Sequence, residues 1–242
     1  MVVGILLASI FCSYSCVLLS VFFDSCCSFF QSFILLFFVF HFFLYFSGLM
    51  ADGHFIISRI HVWLTRWKRC RGFGIQSPND YAFVRDVVNE RRPYYSYNRL
   101  KKRYPALDAI KRKKYEFYLR VANYRRTRCM VDQMEEDTAC YDYIRAGSTR
   151  CMIISRNEVL PQDASIDIVR CKIDNVCGWS SSDKLSQGAI FLVEPSRGRS
   201  INSREWKKVV DNFPGGVSFN LYYCGVIILD KKRYKQNYII NF

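Results

Sequence analysis

The stretch RCMVDQMEEDTACYDYIRAGSTRCMIIS, Arg128–Ser155, decides the fold. A short apolar strand ends at Asp132, a tight acidic loop follows, a helix runs to Gly147 as its C-cap, and Cys151–Ile154 forms a second short strand. That order predicts the opening β-α-β unit of a domain of the kind that holds a dinucleotide or S-adenosylmethionine (SAM), where a glycine-rich loop lets the backbone approach the cofactor. The glycines are missing. Met134, Glu136 and Thr138 stand where they would fall, and no glycine occurs between Gly74 and Gly147. Side chains at a point of close approach take up cofactor volume, and Glu135, Glu136 and Asp137 put carboxylates where the helix N-terminus would face a ligand. The loop is expected to cap its helix and bind nothing.

Downstream the pattern continues. Ser165–Val169 is expected as a strand, 174–187 as an irregular crossover, Ala189–Val193 as a buried strand ending at Glu194, and Glu205–Asn212 as a helix. Val217–Tyr223 and Val226–Leu229 then make an antiparallel pair at the sheet edge. Strands alternating with helices predict a mainly parallel sheet.

Upstream, Ser77 is a good N-cap, Pro78 fits the first helical position, and Asp80 is placed for a capping box. Phe83, Val84, Val87 and Val88 form the apolar face of that helix. Gly72 and Gly74 before it suit a flexible turn better than a phosphate site. Pro93–Pro105 interleaves Tyr94, Tyr95, Tyr97 and Tyr104 with Arg99, Lys101, Lys102 and Arg103, a composition that either packs on an ordinary surface or stacks bases and neutralises phosphates. Residues 106–126 predict a long helix with Leu107, Ile110, Phe117, Val121 and Tyr124 inward and Lys111–Lys114 outward.

The 242 residues carry a formal charge of +14, unevenly: twenty Lys and Arg lie between Arg59 and Arg128, whereas Asp24 is the one charged side chain of the first fifty residues. The basic half is either a solvated face or a surface for an acidic partner, nucleic acid or anionic lipid. Eleven scattered cysteines without CxxC predict reduced thiols in a cytosol-facing domain, and neither a disulfide framework nor a metal site. His41, His54 and His61 are the only histidines, so Ser-His-Asp and Cys-His arrangements and histidine bases are excluded after His61.

Residues 2–49 are a run dominated by Phe, Leu, Val, Ser and Cys. Val2–Phe23 is long enough to cross a bilayer and Ser32–Leu49 marginally so, which fits a membrane anchor with the rest of the chain in the cytoplasm. Met50 opens MADGHFIISRIHVW like an ordinary cytosolic N-terminus, which fits translated upstream sequence instead. Phe55–Cys70 is expected to be a basic amphipathic helix, with Ile56, Ile60, Trp63 and Trp67 on the stripe that docks on the neighbouring domain or lies on a membrane. The expected organisation is an apolar segment over 1–49, a basic helical region over 50–127, and a Rossmann-like domain over 128–242.

The α/β series closed by a β-hairpin resembles the class I SAM-dependent methyltransferase fold. GFGIQSP at Gly72–Pro78, PYYSY at Pro93–Tyr97 and LYYCGVIILDKKRYKQNYIINF at Leu221–Phe242 are similar to a family of methyltransferase-like bacterial proteins, mainly of the Bacteroides group, over about Arg71–Phe242. The resemblance implies a Rossmann-like class I methyltransferase fold, mainly parallel with a C-terminal antiparallel hairpin and preceded by helices, in a bacterial cytosolic protein. It implies SAM as the cofactor of any active form, with Asp132 at the end of the first strand as the residue left to contact it. The second strand ends at Ser155, where the family pattern has an acid for the ribose hydroxyls. Three functions stay open: an interaction or scaffold module that has lost SAM binding, an active methyltransferase of unknown substrate, and a membrane-anchored basic protein that binds anionic lipid or nucleic acid.

Overall fold

The computed structural model describes residues 60, 62–64, 66–69 and 72–242. The apolar segment 2–49 and half of the helix expected over 55–70 lie outside them. Val62–Phe242 forms one compact unit.

A seven-stranded sheet runs in the order β2-β1-β3-β4-β6-β5-β7. Its strands are β1 (Cys129–Asp132), β2 (Met152–Ser155), β3 (Ile166–Lys172), β4 (Leu185–Glu194), β5 (Gly216–Asn220), β6 (Gly225–Leu229) and β7 (Gln236–Ile239). All neighbours pair parallel except β6, which runs antiparallel to β4 and β5. The helices are α1 (Pro78–Phe83), continued by a π-helical turn over Val84–Val88, α2 (Tyr95–Arg103), α3 (Ala109–Arg125), α4 (Thr138–Gly147), α5 (Val176–Ser180) and α6 (Ser203–Asn212). The result is a three-layer α/β arrangement, mostly parallel and compatible with a Rossmann-like fold.

The central strands are buried on both faces, and so read as continuous apolar runs. One face carries Met130, Ile168, Ile190 and Leu192 against α1–α4; the other carries Val131, Val169, Phe191 and Val193 against α5 and α6. Because α1–α3 share the first of these cores, that part of the basic helical region packs in the same unit as the sheet. α3 is surrounded on nearly all sides, with Tyr115 and every residue from Phe117 to Ala122 buried. Arg120 is among them. Its guanidinium donates to the carbonyls of Val87 (2.7 Å) and Val88 (3.2 Å) and to the Tyr97 hydroxyl (3.0 Å), so it satisfies the orphan C-terminal carbonyls of the preceding helix.

Several expectations are corrected by packing. Gly147 is the last residue of α4 and not a left-handed cap; a Cβ there would lie 2.2 Å from the Leu119 carbonyl oxygen, so glycine is required by the close approach of α4 to α3. The strand expected over 165–169 continues to Lys172, and β4 starts at Leu185, four residues early. The β5–β6 pair is not at the edge. β6 inserts between β4 and β5, and the edge is β7, a strand too polar and short to be visible as periodicity. Tyr124 is 54% exposed and Lys114 points inward, the reverse of the helical-wheel expectation, because α3 is covered on more than one side. Trp63 and Trp67 remain more than half exposed, and it is Arg66 that reaches the sheet, at 3.3 Å from the Asn220 side chain and 5.4 Å over the Tyr222 ring. Among the described residues no helix is long and apolar enough to cross a membrane.

The cap at α1 forms as expected, Ser77 Oγ accepting from the Asp80 amide and Pro78 leading the helix. Asp80 does not complete a capping box. Its carboxylate is buried and takes a bidentate pair from Arg233, at 2.9 and 2.8 Å, and Arg233 also donates to Ser77 Oγ. That fork joins the two sequence motifs at opposite ends of the unit, GFGIQSP-N-D and DKKRYKQNYI. Arg233→Ala is expected to lower stability by about 2 kcal/mol, since it strands a buried carboxylate while water already screens the third-exposed guanidinium. Arg233→Lys should recover only part of that, because it cannot make the fork. Urea denaturation of the three proteins checks it, and equal midpoints would contradict it.

Candidate functional site

In an open parallel sheet, ligands bind beyond the carboxyl ends of the strands where the chain order reverses. Here that point lies between β1 and β3, since β2 lies on one side of β1 and β3 on the other. Asp132, the candidate cofactor contact, ends β1 there and is fully buried. Register places Arg170 beside it on β3, and successive alternate residues bring Glu194 to the same face at the end of β4.

These three form a buried ionic cluster. Arg170 Nη1 donates to Asp132 Oδ2 at 3.0 Å, and Arg170 Nε lies 3.5 Å from Glu194 Oε1, an ion contact and not an aligned hydrogen bond. α3 closes the cluster from above. Lys114 and Tyr118, one helical turn apart, both donate to Glu194, the hydroxyl to Oε1 at 2.6 Å and the ammonium to Oε2. The rings of Tyr115 and Tyr118 flank the Arg170 guanidinium at 5.9 and 6.0 Å. Two carboxylates thus meet two cations with little water present.

The loop after β1 folds on its own backbone. Asp132 Oδ1 accepts from the Met134 amide at 3.0 Å, and the Gln133 amide donates to the Arg170 carbonyl at 2.8 Å. Asp137 is the N-cap of α4, accepting from the Cys140 amide at 3.1 Å and from the Tyr115 hydroxyl at 2.6 Å. Glu135, Glu136 and Thr138 are exposed. The capping acid is Asp137 alone, Glu135 and Glu136 are exposed, and the group paired with Asp132 is Arg170.

Electrostatics follow from burial. It pushes the Asp132 carboxyl up, and Arg170 with the Met134 amide offsets only part of the effect. Burial pushes Glu194 the same way, but Lys114 and Arg170, with the Tyr118 hydroxyl, outweigh it and hold that carboxyl below the usual glutamate range. Despite its burial, Arg170 is held firmly protonated by the anionic groups around it. The neighbouring thiols Cys140 and Cys224 are pushed up to about 12 by burial, which leaves neither as a nucleophile at neutral pH. Among the described residues no three His, Cys, Asp or Glu side chains gather where a metal could bind.

Arg170, Tyr118 and Lys114 were not singled out from the sequence. One signal was present: IDIVRCK places an arginine in the alternating slot of Ile166 and Ile168, on a strand with both faces buried, and such a cation demands carboxylate partners.

Glu194→Gln is expected to destabilise the protein by about 3 kcal/mol at neutral pH. Because the Glu194 carboxyl titrates lower folded than unfolded, its contribution is complete above the ordinary value of 4.5 and fades as pH falls through the folded value beneath it. The gap to the parent should therefore close under acid. Asp132→Asn should cost less than half as much, since burial makes that charge unfavourable. Denaturation from pH 7 to 3 tests both, and a pH-independent gap or the opposite ranking would contradict them. No family model and no curated protein matches the chain.

Proposed function

We propose that the chain is a methyltransferase-like, Rossmann-type module in which a buried ionic cluster has replaced cofactor binding, and that it serves as an interaction or scaffold protein. The observation that carries this is the position of Arg170. Its guanidinium lies against Asp132, between two tyrosine rings, and so engages the one residue left to contact a cofactor at the end of β1. The residues present do not fit SAM: a glycine-poor loop denies close backbone approach, Asp132 is committed to Arg170 and Met134, and Ser155 ends β2 without an acid. An adenosyl group held by Asp132 would have to displace Arg170 and leave that buried carboxylate without its cation, which is unfavourable, while Glu194 would keep Lys114 and Tyr118.

The hairpin that closes the sheet supports the methyltransferase likeness. The free thiols Cys129, Cys140, Cys151, Cys171 and Cys224, all buried, suit a reducing compartment such as a bacterial cytoplasm.

Calorimetric titration with SAM and with S-adenosylhomocysteine should show no binding at millimolar ligand. Glu136→Gly should bind no better, because it leaves the Arg170–Asp132 pair in place. Micromolar binding to the parent would overturn the proposal in favour of an active enzyme, and binding restored by Glu136→Gly alone would return the block to the loop.

A further inference from the structure

α2 is a helix with a specialised outer face. Ser96 and Leu100 are buried, and Tyr97 is tied to α3 through Glu116 and Arg120, so these fix which side points inward. Opposite them, Tyr95, Asn98, Arg99 and Lys102 recur at i, i+3, i+4 and i+7 and are all exposed, Tyr95 at 93%. Tyr94, Tyr97 and Tyr104 behave differently. Tyr94 and Tyr97 pack against each other at 5.4 Å, and Tyr104 donates to Asp142 at 2.6 Å. Tyr95 alone of the four presents its ring to solvent.

The surroundings are cationic. Residues 91–114 hold ten Lys and Arg against one acid, Asp108. Arg99 and Lys102 make no ion pair with a carboxylate among the described residues, whereas Arg103 is committed to Asp142 at 2.9 Å. Beyond the end of α2 lies an open hollow of about 440 Å³ lined by Arg103, Tyr104, Leu107, Asp108 and Lys111 among others. A row of unpaired cations has its complement in a row of phosphates, and an exposed ring within that row has its complement in an unstacked base.

We propose that the outer face of α2 binds single-stranded nucleic acid, with Tyr95 stacking on a base and Arg99 and Lys102 neutralising phosphates. A duplex offers Tyr95 no splayed base. An anionic membrane is matched less well, because a membrane-bound helix inserts aliphatic side chains and the one aliphatic residue of α2, Leu100, is buried in the protein. This interaction is separate from the strand-end cluster and holds whether or not an adenosyl compound binds there.

The test is fluorescence anisotropy of the full chain with labelled oligo-dT and oligo-U of about a dozen nucleotides. Binding is expected at low salt and should weaken about sevenfold between roughly 50 and 200 mM if two phosphates are neutralised. Tyr95→Ala should lower affinity roughly fivefold to a hundredfold with the salt slope unchanged. Arg99→Gln with Lys102→Gln should instead flatten the slope by about 1.4, as two phosphate contacts are lost. All three positions are exposed, so unchanged circular dichroism is the control for folding. No binding at low salt, full affinity in Tyr95→Ala, equal affinity for a duplex, or preference for phosphatidylserine vesicles would each overturn the proposal.

Discussion

Arg170 is the cation on which the upper half of the sheet is built. It stands on β3 between two strands that both end in a carboxylate, and it is buried with them. Ions moved out of water cost several kcal/mol each unless their pairing is complete, so the position of everything that completes it is constrained. α3 must present Lys114 and Tyr118 to Glu194, and α4 must begin at Asp137 so that its cap also meets Tyr115. The close contact of Gly147 with Leu119 holds α4 against α3 at its other end. The helix register above the sheet is thus fixed by charge at one end and by sterics at the other.

A second ionic fork acts away from that cluster. Asp80 and Arg233 connect the helix that opens the unit to the loop before β7, and Arg66 reaches the β5 end through Asn220 and the Ile240 carbonyl. On the opposite face of the sheet Trp206 is accommodated only because position 225 lacks a side chain; a Cβ at Gly225 would fall 2.1 Å from the indole. Its Nε1 donates to Asn237 of β7 at 3.0 Å. Polar contacts from both faces therefore secure the short edge strand, whose own sequence has little to hold it.

Much of the architecture was legible in the sequence because its determinants are local. Apolar runs such as CMVD and GVIIL, the Ser77-Pro78 helix start and the apolar stripe of Phe83–Val88 each carry their own signal. β7 was not legible, because Gln236–Ile239 gains its strand conformation from pairing with β5, a contact remote in sequence. Lys114 and Tyr124 were assigned to the wrong sides for a related reason: one-sided periodicity fails on a helix covered on more than one side. At the strand ends, Asp132 was legible as a position and the cluster was not. Pairing among residues 132, 170 and 194 depends on strand order, which alternation along one strand does not encode.

The cluster changes what the fold can do. A cofactor site needs an open crevice at the switch point and groups free to meet a ligand, whereas here both carboxylates are committed to protein cations. The surface proposed for nucleic acid lies apart from that cluster, on α2, which carries charge and an exposed ring. The most direct test of the cluster is a crystal structure of the protein soaked in millimolar S-adenosylhomocysteine. The account predicts the Arg170 guanidinium between Asp132 and Glu194 with no nucleoside beside it; density for an adenosyl group against Asp132, with Arg170 displaced, would contradict it.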